Sequence, residues 1–290
     1  MATTRYDDHI TDDYGADIFF HRWSATGTPR AAVHLVHGLG EHLFRYQHVI
    51  DHLTSAGIEV WGHHQRGHGL TGQKQWGDDV TRWGRLGPGG MEAVLDNTAT
   101  ITHMVRQEHP EIPVVFLGHS WGSLVGQILL NRGGASVLDG VVFTGTSYRM
   151  PGFMNSGDLN AKHKHLGETG AEWLSRDVAV HEAFFADRWT FEAKTLKLFG
   201  VKDSAKLIGR PKPVGKDLPM LLMVGTDDSL GGEKGTRKLA HAYRRAGGLT
   251  DITVKVYEGA RHEVFNETNK DDVLADLTTW LHKLSASDTA

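Results

Sequence analysis

The feature that most constrains the fold is a serine flanked by glycines, Ser120, at the centre of the pentapeptide 118–122. Apolar residues of strand character, 113–117, lead into it, and the apolar segment 123–132 predicts a helix that stops at the following glycines. A G-x-S-x-G sequence between a strand and a helix is typical of a sharp turn that presents a serine hydroxyl above a sheet. We therefore predict that Ser120 is held in such a turn as a nucleophile.

Apolar patterning predicts an α/β fold with strands and helices in alternation. The predicted strands are 17–23, 31–36, 58–61, 113–117, 137–143, 218–225 and 252–257, and the predicted helices are 44–56, 91–109, 123–132, 233–246 and 269–284, with a loop at 62–89. This alternation favours a mostly parallel, doubly wound sheet. It lapses in 147–216, which is rich in large apolar side chains. We expect a core of residues 1–146 and 217–290, with 147–216 inserted as a helical cap or lid.

Composition excludes several classes of function. A formal net charge of −4 provides no basic surface for nucleic acid. The chain has no cysteine, which excludes disulfides, a thiol nucleophile and cysteine-based metal sites. The first residues are polar and acidic, and no apolar run approaches the ~18 residues of a membrane span. We therefore expect a soluble, cytoplasmic protein.

Two further patterns resemble binding motifs but lack the required context. Residues 67–72 match G-x-G-x-x-G, yet the following segment is polar and broken by glycine, so we expect a loop there rather than the helix of a dinucleotide site. No carboxylate spacing completes a metal site with the histidines, which we expect at the surface or in loops. These histidines are His63, His64, His68, His163 and His165. We predict neither a metal nor a cofactor.

A serine nucleophile needs a neighbouring base and a third group to orient that base. Asp227 and Asp228 follow one predicted strand, and His262 follows the next. The carboxyl ends of parallel strands lie at the same edge of the sheet. These side chains can therefore lie close to Ser120, although His262 is 142 residues from Ser120 in sequence. The residues alone hardly separate the two aspartates, since either could be a solvated turn residue.

Acyl transfer also requires backbone N–H groups directed at the developing oxyanion. The residue after the nucleophile, Trp121, is one expected donor. The second is Leu39, in the glycine-containing loop 37–42 that follows an early strand. The alternative is that this loop is an ordinary strand-to-helix turn.

Taken together, these segments resemble the monoacylglycerol lipase and lysophospholipase branch of the α/β-hydrolases, which includes serine aminopeptidase-like sequences, and bacterial members in particular. The matching segments are 37–42 with Arg45 and Tyr46, 66–69, 118–122, 225–228 and 262–267. The resemblance implies an α/β-hydrolase fold with a helical cap. It selects Asp228 as the acid and supports Ser120, His262 and the amides of Leu39 and Trp121.

Two positions depart from the family pattern. His64 stands where the family usually has an aspartate shortly before its Arg-Gly-His-Gly turn. Trp121 follows the serine, where a smaller side chain, often methionine, is common. A bulky indole at that position would narrow the entrance for the acyl chain.

We therefore predict a serine hydrolase that cleaves carboxylic esters through an acyl-enzyme, with monoacylglycerols or lysophospholipids as substrates. Glu41 and Arg45 are candidates for substrate head-group contacts, or else form a structural ion pair. A lipid substrate would bring the cap into transient contact with a membrane surface. The alternatives are a small-ester carboxylesterase, an amide-cleaving peptidase of the same fold, or a non-catalytic ligand receptor. The sequence does not determine the oligomeric state.

Overall fold

A mixed sheet organises the molecule, described for residues 4–287 by a computed structural model. Its eight strands within these residues are β1 (Arg5–Thr11), β2 (Asp17–Trp23), β3 (Ala31–Val36), β4 (Ile58–His63), β5 (Val114–His119), β6 (Gly140–Thr144), β7 (Met220–Gly225) and β8 (Ile252–Tyr257). Their order is β1-β2-β4-β3-β5-β6-β7-β8. The first two strands are antiparallel to their neighbours, and the others run parallel. The mostly parallel sheet confirms the predicted α/β-hydrolase fold class.

Helices cover both faces of this sheet. They are α1 (Gln47–Ser55), α2 (Gly69–Trp76), α3 (Gly90–Glu108), α4 (Trp121–Leu130), α5 (Val178–Ala186), α6 (Thr195–Lys206), α7 (Gly232–Ala242) and α8 (Lys270–Ser287). Phe116 and Phe143 point to the face covered by α3 and α7, while Leu117 and Val142 point to the face covered by α1 and α8. Both sets of side chains are buried, which explains why the central strands are continuously apolar.

Two elements were missed by the sequence prediction. Strand β1 has almost entirely exposed side chains and extends the sheet only through its pairing with β2. Helix α2 lies in the predicted loop, so the expectation that no helix follows the glycines at 67–72 was wrong. Both elements depend on tertiary contacts, because neither has an apolar pattern strong enough to indicate it.

The sheet order creates a crevice at the carboxyl ends of β3 and β5. Strand β3 pairs with β4 on one side and with β5 on the other. The connection after β3 therefore runs towards one edge of the sheet, and the connection after β5 runs towards the opposite edge. Ligands of open α/β sheets bind at such a switch point. The loop 37–42 follows β3, and Ser120 follows β5, so both lie at this crevice.

Between β6 and β7 the chain leaves the sheet, and we keep the name cap for residues 147–216. Helices α5 and α6 lie in this segment, with non-helical backbone at Gly200 inside α6. Several large apolar side chains of the cap are exposed: Leu166, Val178, Phe185, Leu196, Val201 and Ile208. No helix among residues 4–287 is long and apolar enough to span a bilayer.

Candidate active site

Ser120 occupies a strained turn between β5 and α4. Its φ of 49° is the only positive value for a non-glycine residue among residues 4–287, and such a conformation costs on the order of 1–3 kcal/mol. The flanking glycines are required by packing. A Cβ on Gly118 would lie 2.7 Å from the carbonyl oxygen of Gly122, and one on Gly122 would collide with the Val36 carbonyl. The backbone therefore forces the Ser120 side chain out at the carboxyl edge of the sheet.

The structure brings Ser120, His262 and Asp228 into one hydrogen-bonded chain. Ser120 Oγ lies 2.8 Å from His262 Nε2, and His262 Nδ1 lies 2.9 Å from Asp228 Oδ1. The backbone N–H of Leu230 also donates to Asp228 Oδ1 at 2.8 Å. This network assigns the neutral tautomer in which Nδ1–H donates to the carboxylate and Nε2 accepts from the serine hydroxyl.

The electrostatics of this hydrogen-bonded network keep the His262 imidazole basic and the Asp228 carboxylate ionised. Burial by itself lowers the pKa of His262, but the charge and hydrogen bond of Asp228 outweigh it, so the pKa lies above the usual value. Burial raises the pKa of Asp228, yet the neighbouring His262 holds it below its usual value. Asp228 therefore stays ionised at neutral pH and can stabilise an imidazolium.

The adjacent aspartate, Asp227, faces away from the hydrogen-bonded network of Ser120, His262 and Asp228. Asp227 pairs with Lys162 at 2.7 Å, and its side chain is 46% exposed. Its backbone N–H donates to the Ala260 carbonyl. The two adjacent carboxylates thus have separate surroundings, and of the two only that of Asp228 contacts His262.

Two residues beside His262 were not singled out from the sequence. The Trp173 ring, from the cap, lies 4.8 Å from the imidazole between ring centroids, and its carbonyl accepts the His262 backbone N–H. The centroid of the His119 ring lies 4.9 Å from that of His262. Burial and the nearby His262 lower the pKa of His119 to about 3, so it contributes no positive charge. Only the position of His119 inside the pentapeptide could have indicated it.

The expected oxyanion donors lie at the crevice, Leu39 in the loop after β3 and Trp121 at the start of α4. In the part of the chain that the structure describes, the backbone N–H groups of Leu39 and Trp121 donate no hydrogen bond to the protein. The preceding amide, that of Gly38, is directed inward to Glu41 Oε1 at 2.6 Å. The indole N–H of Trp121 is likewise buried without a partner.

Glu41 and Arg45 are buried in an ion-pair cluster with Glu263. Arg45 Nη1 lies 2.6 Å from both carboxylates, and its Nη2 donates to Glu263 at 2.8 Å. Burial raises the pKa of Glu263, but Arg45 outweighs this effect and lowers it to about 2. Tyr46 donates to Glu41 as well. This geometry favours the structural ion pair over a head-group contact, and it joins the loop 37–42 to the residue after His262.

Most of the histidines expected at the surface or in loops do lie in loops but are buried, whereas His63 lies at the end of β4. The buried members are His63, His64, His68 and His163, whereas His165 is exposed. Burial lowers the pKa of His64 well below its usual value, and its ring contacts Phe44 and Trp189. Both ring nitrogens of His64 are buried without a hydrogen-bond partner among the described residues. No group of three or more potential ligands within residues 4–287 is arranged to hold a metal ion.

The glycines at 67–72 pack against the protein itself. A Cβ on Gly67 would lie 2.7 Å from the Arg85 carbonyl oxygen, and one on Gly72 would lie 2.5 Å from the Gly67 carbonyl. A Cβ on Gly69 would collide with the His64 ring. These glycines therefore permit close contacts within the fold at the point where α2 begins.

A mostly parallel α/β sheet that holds a serine, a histidine and an aspartate in hydrogen-bonded contact at its switch point defines a serine hydrolase of the α/β-hydrolase class. The model of the family described as "Serine aminopeptidase, S33" matches residues 27–269, and the chain belongs to this family.

Similar proteins agree with this assignment. The monoacylglycerol lipase of Mycolicibacterium smegmatis is 28% identical over 97% of this chain and 98% of its own length. The monoglyceride lipase of Rattus norvegicus is 25% identical, with coverage of 96% and 91%. A solved structure titled "Lipase (Open form)" superposes with a TM-score of 0.78 at 25% identity, over 97% of this chain and 99% of that one. The resemblance inferred from the motifs is thereby confirmed.

Proposed function

We propose that this protein hydrolyses carboxylic esters of the monoacylglycerol type through an acyl-enzyme on Ser120. The observation that carries the proposal is the hydrogen-bonded chain from Ser120 through His262 to Asp228. The curated relatives named as monoacylglycerol or monoglyceride lipases support the choice of substrate class.

In the proposed mechanism, His262 Nε2 accepts the proton of Ser120 as Oγ attacks the ester carbonyl carbon. The negative charge that develops on the carbonyl oxygen is stabilised by the N–H groups of Leu39 and Trp121, each worth roughly 2.7–4 kcal/mol in comparable sites. His262 then donates its proton to the departing alcohol, which leaves the acyl group on Ser120. A water molecule, deprotonated by His262, releases the carboxylic acid and restores the serine.

An apolar cluster beside Ser120 supports a substrate with an apolar acyl chain. Trp121 packs with Leu124 on α4 and with Phe199 on the cap helix α6, and Leu39 and Met154 border the same cluster. The ring centroids of Trp121 and Phe199 are 5.3 Å apart. Because the transfer of apolar groups out of water is favourable, contact with these side chains would stabilise the acyl portion of a lipid bound beside Ser120.

The same tryptophan favours a second candidate, a carboxylesterase for short esters. Trp121 is only 2% exposed and fills space beside the nucleophile. An indole that keeps this position would leave space beside Ser120 for only a short acyl chain. The two candidates therefore differ in chain-length preference and share the same reaction.

The cap is the surface that we propose meets lipid. Its exposed side chains include Val178 and Phe185 on α5, and Leu196 and Val201 on α6. Residues 147–216 contain 12 Lys or Arg and 8 Asp or Glu, whereas the whole chain contains 31 and 35. A cap with apolar side chains and net positive charge, on an otherwise negative protein, suits an anionic lipid surface.

Labelling with a fluorophosphonate tests the nucleophile. We expect stoichiometric modification of Ser120 in the wild-type protein and none in Ser120→Ala, measured by intact-protein mass spectrometry. Ser123→Ala, which changes a buried serine one helical turn away, is the matched control and should still be labelled. A folded wild-type protein that resists the probe would favour the non-catalytic receptor and contradict the proposal.

Substrate class is tested by kcat/KM over p-nitrophenyl esters of graded chain length, monoacylglycerols, a lysophospholipid and an aminoacyl amide. The proposal predicts the highest values for monoacylglycerols of medium or long chain. A maximum at acetate or butyrate would assign the short-ester carboxylesterase, and preference for the amide would assign a peptidase.

A further inference from the structure

We propose that His68 is a positioning residue for the oxyanion loop, defined as residues 37–42, and that it acts through the backbone amide of Gly40. This inference rests on the proposed function only in taking the Leu39 amide as an oxyanion donor. His68 lies outside the triad and makes no contact with Ser120 among the described interactions.

The first observation is the hydrogen bonding of the imidazole. His68 Nδ1 lies 2.9 Å from the Arg66 carbonyl oxygen, so this nitrogen carries the hydrogen. Nε2 is then an acceptor, and it receives the Gly40 backbone N–H at 3.1 Å. Burial lowers the pKa of His68 to about 4, and the ring therefore remains neutral and able to accept at neutral pH.

The second observation is that both neighbours of Leu39 are fixed by side-chain acceptors. The Gly38 N–H donates to Glu41, and the Gly40 N–H donates to His68. Gly40 has a φ of 80°, a conformation that glycine adopts readily, and its carbonyl accepts the N–H of Phe191 from the cap. Of these three consecutive amides, only that of Leu39 is left for a ligand, because the amides on both sides are directed into the protein.

The third observation is that the imidazole itself has little freedom to move. His68 is fully buried, and its ring packs against those of Trp121 and Phe191, with centroids 5.3 and 5.2 Å away. It therefore contacts the residue that supplies one proposed oxyanion donor while it holds the loop that supplies the other. Rigid support of this kind is what an oxyanion hole requires, because a displacement of about 1 Å at a reacting centre can cost ~10²-fold in rate.

The test compares two amide replacements of different length. The Oε1 of a glutamine can reach the position of His68 Nε2 and accept from Gly40, whereas the shorter side chain of an asparagine cannot. We expect His68→Asn to lower kcat on the ester by roughly 10²-fold, as loss of an oxyanion donor does, with KM within about twofold. His68→Gln should retain kcat within about tenfold. His68→Leu, which keeps the volume but cannot accept a hydrogen bond, should behave like His68→Asn.

Two further measurements separate positioning from general damage. Thermal unfolding of each variant identifies proteins that are destabilised, and only folded variants are compared. The rate constant for fluorophosphonate labelling of Ser120 should fall in His68→Asn and recover in His68→Gln, because attack at phosphorus also develops charge on an oxygen in the oxyanion hole. Since labelling does not depend on the ester, failure of the proposed substrate class would leave this comparison valid.

Equal loss of kcat and labelling rate in folded His68→Gln and His68→Asn would overturn the inference. So would a folded His68→Leu variant with wild-type kcat. If wild-type Ser120 is not labelled at all, the proposed function fails first, and the assignment of Leu39 as a donor fails with it.

Discussion

The identity of the acid depends on which of two adjacent side chains faces the imidazole. Pattern and chain order placed an aspartate pair after β7 but could not choose between them, because a turn can direct either carboxylate towards the site. The resemblance selected Asp228, and the hydrogen bond of 2.9 Å to His262 agrees with that choice. The contacts of His119 and Trp173 with His262 depend on tertiary packing and could not be predicted.

Exchange of each aspartate for asparagine tests this assignment. We expect Asp228→Asn to lower kcat by about 10⁴-fold, the loss seen when an amide forces the wrong histidine tautomer in a serine protease. Asp227→Asn is the control, because Asp227 pairs with Lys162 at the surface and should change kcat less than threefold. The reverse result would show that the acid is Asp227.

The pH dependence of kcat/KM should follow the ionisation of His262. The general base must be neutral, and Asp228 raises the pKa of His262 above its usual value. Activity should therefore be complete above that pKa and fall as the pH drops through it, with a midpoint above 6.5, the ordinary value for histidine. A midpoint well below 6.5 for a soluble ester would contradict the proposed role of Asp228.

The secondary-structure elements differed in how far the sequence could define them. Strands at 31–36 and 252–257 have their predicted bounds, because runs of apolar, β-branched residues end there at turn-forming residues. Helix α2 was missed because its packing depends on glycine contacts with the preceding loop. The irregular parts of the cap have no periodic signal at all, so the segment could be recognised only by the lapse of the alternating pattern.

Helix α6 of the cap supports a prediction about lipid surfaces. Leu196→Ser with Val201→Ser should weaken sedimentation with vesicles of phosphatidylglycerol by at least threefold, because these side chains are 63% and 77% exposed and would lose their apolar contact with lipid. Hydrolysis of a soluble short ester should be unchanged. Val80→Ser alters a side chain that is 65% exposed outside the cap and serves as the control. Equal binding by all variants would contradict a role for α6.

On the scale of the whole molecule, buried histidines couple folding to pH. Nine of them have pKa values lowered primarily by burial: His21, His34, His37, His42, His63, His64, His68, His119 and His163. They are neutral in the folded protein around neutral pH but free to bind protons in the unfolded chain. The unfolded state therefore binds more protons than the folded state as the pH falls below about 6.5. This uptake lowers the free energy of the unfolded state relative to that of the folded state.

We accordingly predict that the free energy of unfolding is maximal above pH 6.5 and decreases as the pH falls towards the lowered folded-state pKa values. Each such histidine contributes at most about 1.4 kcal/mol per pH unit. Urea unfolding between pH 7.5 and 5 measures the slope. His63→Asn keeps a polar partner for His34 but removes one titrating group, so its slope should be shallower than that of the wild type. His165→Gln, at an exposed position, should leave the slope unchanged, and identical slopes in all three proteins would contradict the linkage.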